Sequence, residues 1–138
     1  MFEHCLYFNT TALARRLERE WTLAFQPLGL TPPQAFMLRA VLAAPGSLQS
    51  ELADAMAIAR PTATRALDAL ESKGMITRQL MSHDNRLVAI HPTKAALSIA
   101  SDLNEASAAV TRKLKRKLSD TVFQETVAQV RSVRSALE

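Results

Sequence analysis

Apolar residues recur at steps of three, four or seven along most of the chain, which is the pattern of amphipathic helices. The first of these helices spans residues 6–26, and the last two span residues 94–118 and 119–138. Between them, residues 32–92 hold shorter apolar stretches that Pro, Gly and polar turns separate. The pattern therefore predicts a mainly α protein of the α+β type, in which long helices flank a compact central module.

The central module begins with a helix that Thr31 starts, since a Thr side chain can accept from first-turn N–H groups. The tripeptide at residues 44–46, Ala-Pro-Gly, ends this helix. Ser47 is predicted to cap a third helix over residues 48–56, and a short link at residues 57–59 leads into a fourth. Two helices joined by so short a link predict a helix-turn-helix.

The fourth helix, residues 60–73, is followed by two short apolar runs, residues 75–81 and 87–91, which predict a β-hairpin. The polar residues Ser82–Arg86 form the predicted turn between these runs. On the helix, the residues expected to pack inward are Ala63, Ala66, Leu67 and Leu70. A helix-turn-helix with a basic-tipped hairpin is the outline of a winged helix, whose dominant use is docking on duplex DNA.

The composition narrows the class of protein without deciding it. A net charge of +4 and a pI of about 9.7 permit nucleic-acid binding, although other basic proteins share such values. One cysteine excludes an intrachain disulfide, and three scattered histidines show no metal-ligand spacing, so no metal or cofactor is expected. The chain also lacks a Gly-rich phosphate loop, a nucleophile elbow, a long apolar span and a signal-peptide pattern. We therefore expect a cytoplasmic protein that is not an enzyme and has no membrane partner.

The flanking helices carry more apolar surface than a winged helix of about 60 residues could cover. A second copy of the chain is the economical way to cover it, so a homodimer is predicted. The expected division is an N-terminal dimerisation helix at residues 1–30, a winged helix-turn-helix domain at 31–92 and C-terminal dimerisation helices at 93–138.

The sequence resembles the MarR family of bacterial transcriptional regulators along nearly its whole length. LTPPQAFMLRAVLAAPG is similar to the second helix of that family, and LQSELADAMAIARPTATRALDALESKGMITR is similar to its helix-turn-helix. Asp84-Asn85-Arg86 matches the Asp-x-Arg signature of its wing. The chain departs at Ala59, where a hydroxylated cap is usual, and at Ala96, where a glycine often follows the wing. The resemblance implies a DNA-binding regulator, by default a repressor that a small molecule or an oxidant releases.

Eight residues are candidate contacts to a pseudo-palindromic duplex operator. They are Arg60, Pro61, Thr62, Thr64, Arg65, Arg78, Asp84 and Arg86. Two β-branched hydroxyl residues and an Arg are poor choices for helix stability, but they suit phosphate and base-edge contacts. The resemblance implies that Arg86 enters the minor groove and that Asp84 orients it. The basic run at residues 112–117 is expected to be a solvated helix end rather than a DNA contact.

Three alternatives stay open at this stage. Cys5 is either an inert small apolar residue or a redox sensor, because it resembles the reactive Cys that some organic-hydroperoxide regulators of the family carry. Those regulators surround their Cys with tyrosines, whereas this chain has only Tyr7. The competing effector is a small aromatic anion bound between the dimer helices and the winged helix. The rival function is a winged-helix protein-interaction module without DNA binding, which predicts an apolar helix face and a neutral or acidic wing.

Overall fold

The computed structural model describes residues 1–81 and 84–138, and of residues 84–86 it describes the backbone alone. The helices of this part are α1 (Leu6–Phe25), α2 (Pro32–Ala43), α3 (Gln49–Ala55), α4 (Arg60–Ser72), α5 (Lys94–Leu118) and α6 (Asp120–Leu137). The strands are β1 (Ser47–Leu48), β2 (Ile76–Met81) and β3 (Asp84–Pro92), and a 3-10 helix spans Gln26–Leu28. The predicted winged helix-turn-helix with flanking helices is confirmed.

Side-chain caps and a glycine set several helix ends, as the residue types predict. Thr31 Oγ1 accepts from Gln34 N at 3.4 Å, and Gln34 Oε1 accepts from Thr31 N at 3.2 Å, which closes a capping box at the start of α2. Ser119 Oγ accepts from Val122 N at 3.3 Å at the start of α6. Gly74 follows α4 with a φ of +73°, a left-handed conformation that glycine adopts without strain.

The prediction that Ser47 caps α3 is wrong. Ser47 lies in β1 opposite Ile90 of β3, and its Oγ donates to Ala44 O at 2.7 Å. Leu48 is the residue before α3, and its N–H donates to Glu51 Oε1 at 2.9 Å. The backbone of Ser47 therefore pairs with a strand that is distant in sequence. The side chain of Glu51 instead accepts from the N–H group at the start of α3.

The three strands form one antiparallel sheet in the order β1-β3-β2. β2 and β3 are the hairpin that the two apolar runs predicted. β3 begins at Asp84, so the backbone through Arg86 is strand, where the sequence predicted a turn. Ser82 and His83, the other members of the predicted turn, lie outside the described residues.

The hydrophobic core lies where α2, α3 and α4 meet the sheet. All four residues predicted to face inward from α4 are buried: Ala63, Ala66, Leu67 and Leu70. Ile76 of β2 and Ile90 of β3 pack into the same core, and so do Phe25 of α1 and Leu103 of α5. Because closely packed interiors permit little rotation, this core fixes the position of α4 relative to the hairpin.

The long helix α5 joins α1 to the winged helix. Trp21 Nε1 of α1 donates to Ser107 Oγ of α5 at 3.0 Å, and Ser107 is buried although it is polar. Val110 of α5 is also buried, whereas Leu97 and Leu118 of the same helix are exposed. The single chain therefore covers only part of the apolar surface of α5.

The last helix is almost uncovered. Every residue of α6 is exposed apart from the half-buried Phe123. Val130 is 51% exposed and Leu137 is 80% exposed. A groove of about 460 Å³ runs between the end of α6 and the start of α1, and its apolar lining is Leu6, Tyr7, Val130, Val133 and Leu137.

Candidate nucleic-acid interface

The start of α4 is exposed and has no side-chain cap. Its cap residue is Ala59, whose methyl group cannot accept a hydrogen bond, and Arg60 and Pro61 of the first turn are exposed. The first N–H groups of the helix and the positive end of its dipole are thus open to an anion. This end of α4 can receive a phosphate group of a nucleic-acid backbone.

Arg65 lies on the exposed face of α4, one turn after Pro61. Its Nη2 donates to Thr62 Oγ1 at 3.3 Å, which holds the side chain along the helix. Its other N–H groups have no hydrogen-bond partner among the described residues, so they can fork to two acceptors, the geometry that matches O6 and N7 of guanine. The arrangement suits recognition of a base edge.

Thr64 faces the neighbouring helix rather than open solvent. Its Oγ1 accepts from Gln49 Nε2 of α3 at 2.9 Å and donates to Arg60 O at 3.0 Å. Both hydrogen-bonding roles of the hydroxyl are therefore used within the helix-turn-helix. Sequence reasoning missed Gln49, because only the folded chain brings residues 15 positions apart into contact.

Arg78 contacts the carboxylates of α4. Its Nη2 lies 2.9 Å from Asp68 Oδ1, and its Nη1 lies 3.1 Å from Glu71 Oε1. The side chain of Arg78 is only 18% exposed. The structure thus places this candidate DNA contact between β2 and α4, where its charge is already balanced.

The remaining candidates, Asp84 and Arg86, lie at the start of β3. Their backbone continues the hairpin, and their side chains lie outside the described residues. The fold therefore brings Arg60, Pro61 and Arg65 to the surface of one helix, with the hairpin packed beside it.

The basic run near the end of α5 contacts the flanking helices. Lys113 Nζ lies 2.9 Å from Glu20 Oε2 of α1, and this hydrogen bond lowers the pKa of the Glu20 carboxyl. Lys115 Nζ lies 5.4 Å from the ring centroid of Phe123 in α6. Arg112 pairs with Glu105 of its own helix.

Cys5 is exposed at the start of α1, and its Sγ accepts from Phe8 N at 3.5 Å. The ring of Phe8 lies 5.3 Å from that of Phe2. These aromatic neighbours are themselves exposed, so the thiol is open to solvent within one chain.

Two clefts lie between the winged helix and the flanking helices, and they share Phe36 and Met56 as a wall. One, of about 500 Å³, is lined mainly by apolar residues of α1, α2 and α4, with Glu18 as its charged residue. The other, of about 620 Å³, lies between α2 and α5. Arg39 lines this second cleft, and its Nε donates to Asn104 Oδ1 at 3.0 Å.

In residues 1–81 and 84–138, no helix is both long and apolar enough to cross a membrane. Within the same residues, no three His, Cys, Asp or Glu side chains are grouped so that they could hold a metal ion.

Solved structures share this fold over nearly their full length. The Staphylococcus aureus MepR–DNA complex has a TM-score of 0.87 at 19% identity, with 99% of this chain and 100% of that chain covered. The Mycobacterium tuberculosis transcriptional regulator MosR in complex with DNA has a TM-score of 0.81 at 23% identity, with coverages of 98% and 99%. The transcriptional repressor CouR bound to p-coumaroyl-CoA has a TM-score of 0.87 at 22% identity, with coverages of 96% and 94%.

A helix-turn-helix, a wing hairpin and long helices on either side define the class of winged helix-turn-helix proteins. The family model described as MarR family matches residues 28–87, which include the helix-turn-helix and most of the hairpin. Over these residues the chain is similar to the MarR family.

Proposed function

We propose that this chain is a sequence-specific DNA-binding transcription regulator that places α4 in the major groove. The observation that carries this proposal is the exposed start of α4, where Arg65 has donors that no described residue uses, beside a packed hairpin. Two proteins of the same fold have been solved as DNA complexes, which supports a DNA partner. We further propose that Arg86 reaches the adjacent minor groove and that Asp84 orients it. A partner of this kind implies a cytoplasmic binding protein rather than an enzyme.

The rival function, a protein-interaction module, needs an apolar face on α4. The exposed face instead carries Arg65 and Asp68, with Pro61 and Ser72 at its ends. A face that carries charged residues is poorly matched to the apolar core of a protein–protein interface.

We also propose that the protein works as a homodimer. The groove between the start of α1 and the end of α6 is lined by apolar residues that stay exposed in one chain. A second copy related by two-fold symmetry would cover it and present two copies of α4. The two half-sites of the operator would then lie about one helical turn apart, roughly 10 base pairs.

The test of DNA binding starts with duplexes that the purified protein retains from a random-sequence pool. Arg65→Ala should weaken binding to a retained duplex by about 1–3 kcal/mol and relax the preference at one base pair. Arg86→Ala should weaken binding with less effect on major-groove preference. Arg116→Ala, which removes the same charge from the exposed end of α5, is the matched control and should change affinity little. Unchanged affinity in both Arg65→Ala and Arg86→Ala would contradict the docking proposal.

Repression that an effector relieves is the final part of the proposal. An aromatic anion is better suited to the cleft at Arg39, because the guanidinium there can pair with a carboxylate, whereas Glu18 repels one in the other cleft. Phe36 lies 5.1 Å below the Arg39 guanidinium and would pack against an aromatic ring.

Benzoate is the simplest probe of this effector class. The single tryptophan, Trp21, lies in the neighbouring cleft and provides a fluorescence signal. Arg39→Gln should weaken benzoate binding, whereas Glu18→Gln, the control in the other cleft, should leave it unchanged. Equal binding to wild type and Arg39→Gln would exclude this cleft as the site.

A further inference from the structure

Arg78 makes contacts with one side of α4 that span two helical turns. Its guanidinium reaches Asp68 at 2.9 Å and Glu71 at 3.1 Å, and its Nη2 also donates to Thr64 O at 3.4 Å. Acceptors at spacings of four and seven residues lie in one row along a helix, so a single planar side chain can bridge them. Arg78 of β2 therefore contacts three residues of α4, which are Thr64, Asp68 and Glu71.

The two carboxylates present an electrostatic problem for a helix that enters a groove of DNA. Asp68 is 62% exposed and Glu71 is 49% exposed, so both face the surroundings of α4. Phosphate groups repel unpaired carboxylates, and repulsion grows as water is excluded from the interface. A guanidinium that forms ion pairs with both carboxylates cancels much of this repulsion before DNA binds.

We propose that Arg78 is a positioning residue that neutralises Asp68 and Glu71 and holds the wing hairpin against α4, rather than a phosphate contact of its own. This proposal rests on the proposed DNA-binding function. Arginine suits the role because its fork of donors reaches two carboxylates in one plane, which a lysine ammonium cannot reproduce. The limited exposure of Arg78 fits a side chain that is used within the protein.

The distinction between positioning and direct contact can be tested with a double-mutant cycle. Arg78→Gln is made in wild type and in a background with Asp68→Asn and Glu71→Gln, and binding to one retained duplex is measured at fixed salt. The positioning role predicts a loss of about tenfold in wild type and a much smaller loss in the neutral background, because the charges that Arg78 offsets are then absent. Arg78→Lys should restore only part of the affinity. An equal loss in both backgrounds would overturn the proposal and indicate a direct phosphate contact.

A second measurement does not depend on DNA. Without DNA, amide hydrogen exchange in β2 and in the second half of α4 should be faster in Arg78→Gln than in wild type, because the contact between the two elements is lost. Arg65→Ala is the matched control, since it removes a cation from α4 that has no partner in the hairpin among the described residues. Unchanged exchange in Arg78→Gln would show that the hairpin is held without Arg78.

The two measurements separate this inference from the proposed function. A wild-type protein that retains no duplex would refute the DNA-binding function, and the exchange measurement would still decide whether Arg78 holds the hairpin. A wild type that binds DNA, with an additive mutant cycle, would refute only the role of Arg78.

Discussion

The winged helix and the flanking helices differ in how far one chain completes them. In the winged helix, Leu38, Leu67 and Ile90 have no exposed surface, so the core is closed within the chain. In the flanking helices, Val130 and Leu137 are at least half exposed, although they lie on regular apolar stripes. Similar amphipathic patterns therefore have different consequences. The core of the winged helix is buried by packing within the chain, whereas the flanking helices leave apolar surface exposed in a single chain, as the proposed homodimer would require.

The first prediction tests the flanking helices, whose apolar surface is exposed in one chain. Replacing Val130 and Val133 with Glu should raise the dissociation constant of the dimer by more than about a hundredfold, because four carboxylates would have to be desolvated in a symmetric interface. Sedimentation equilibrium of wild type and the double variant measures this change. The variant Ser72→Glu, at an exposed position of α4, is the control for added charge. A wild type that sediments as a monomer at micromolar concentration would contradict the proposal that the flanking helices form a dimer.

The second prediction tests the core of the winged helix, which is buried within one chain. Leu67→Ala should lower the free energy of unfolding by about 2–5 kcal/mol, because Leu67 is fully buried and its removal leaves a cavity. The loss should not depend on protein concentration, in contrast to the effect of the interface variants. Denaturant unfolding at two protein concentrations measures both properties. If the loss grew on dilution, the core of the winged helix would depend on the dimer.

The third prediction concerns the ion pair that joins α1 to α5. The hydrogen bond from Lys113 lowers the pKa of Glu20 below its ordinary value. A carboxyl with a lowered folded-state pKa stabilises the protein above its ordinary pKa, and this stabilisation is lost as the pH falls through the folded-state value. The melting temperature of wild type should therefore fall more on acidification than that of Glu20→Gln. If the melting temperatures of the two proteins fell equally across this acid range, the ion pair would contribute nothing to stability.

The smallest effect is expected at Cys5, the exposed residue that directly precedes α1. Exposure makes the thiol accessible, but the chain has no second cysteine to resolve a sulfenic acid. We expect organic hydroperoxide to change DNA binding equally, or not at all, in wild type and Cys5→Ser. Release of DNA from wild type alone would instead identify Cys5 as a redox sensor, acting through a small thiol or the Cys5 of a second copy.

Local chemistry predicted most of the fold. Thr31 and Ser119 begin helices because their side chains accept from N–H groups three residues later, and the helical period alone identified Leu67 as buried. Ser47 was assigned to a helix cap because its sequence context fits one, whereas its partner in β3 is far away in sequence. Interactions that depend on distant residues are invisible to local patterns.

The same limit applies to the candidate interface. The exposed position of Arg65 follows from the helical period and was predicted. The partners of Thr64 and Arg78 were not, because Gln49 and the two carboxylates come into reach only when separate elements pack. The sequence identified which residues carry hydrogen-bonding groups, and the fold determines which of these groups the protein itself uses.

The short strand β1 has a consequence for the order of folding. Its residues Ser47 and Leu48 pair with Ile90 and Ala89, so the chain between them forms a long closed loop that contains α3, α4 and β2. Closing such a loop costs chain entropy before the pairing returns any stabilisation, whereas helices and the β2–β3 hairpin form from neighbouring residues. We therefore expect the β1–β3 contact to form late, after the helices have docked. The base of the wing would then be the last part of the winged helix to become protected during refolding.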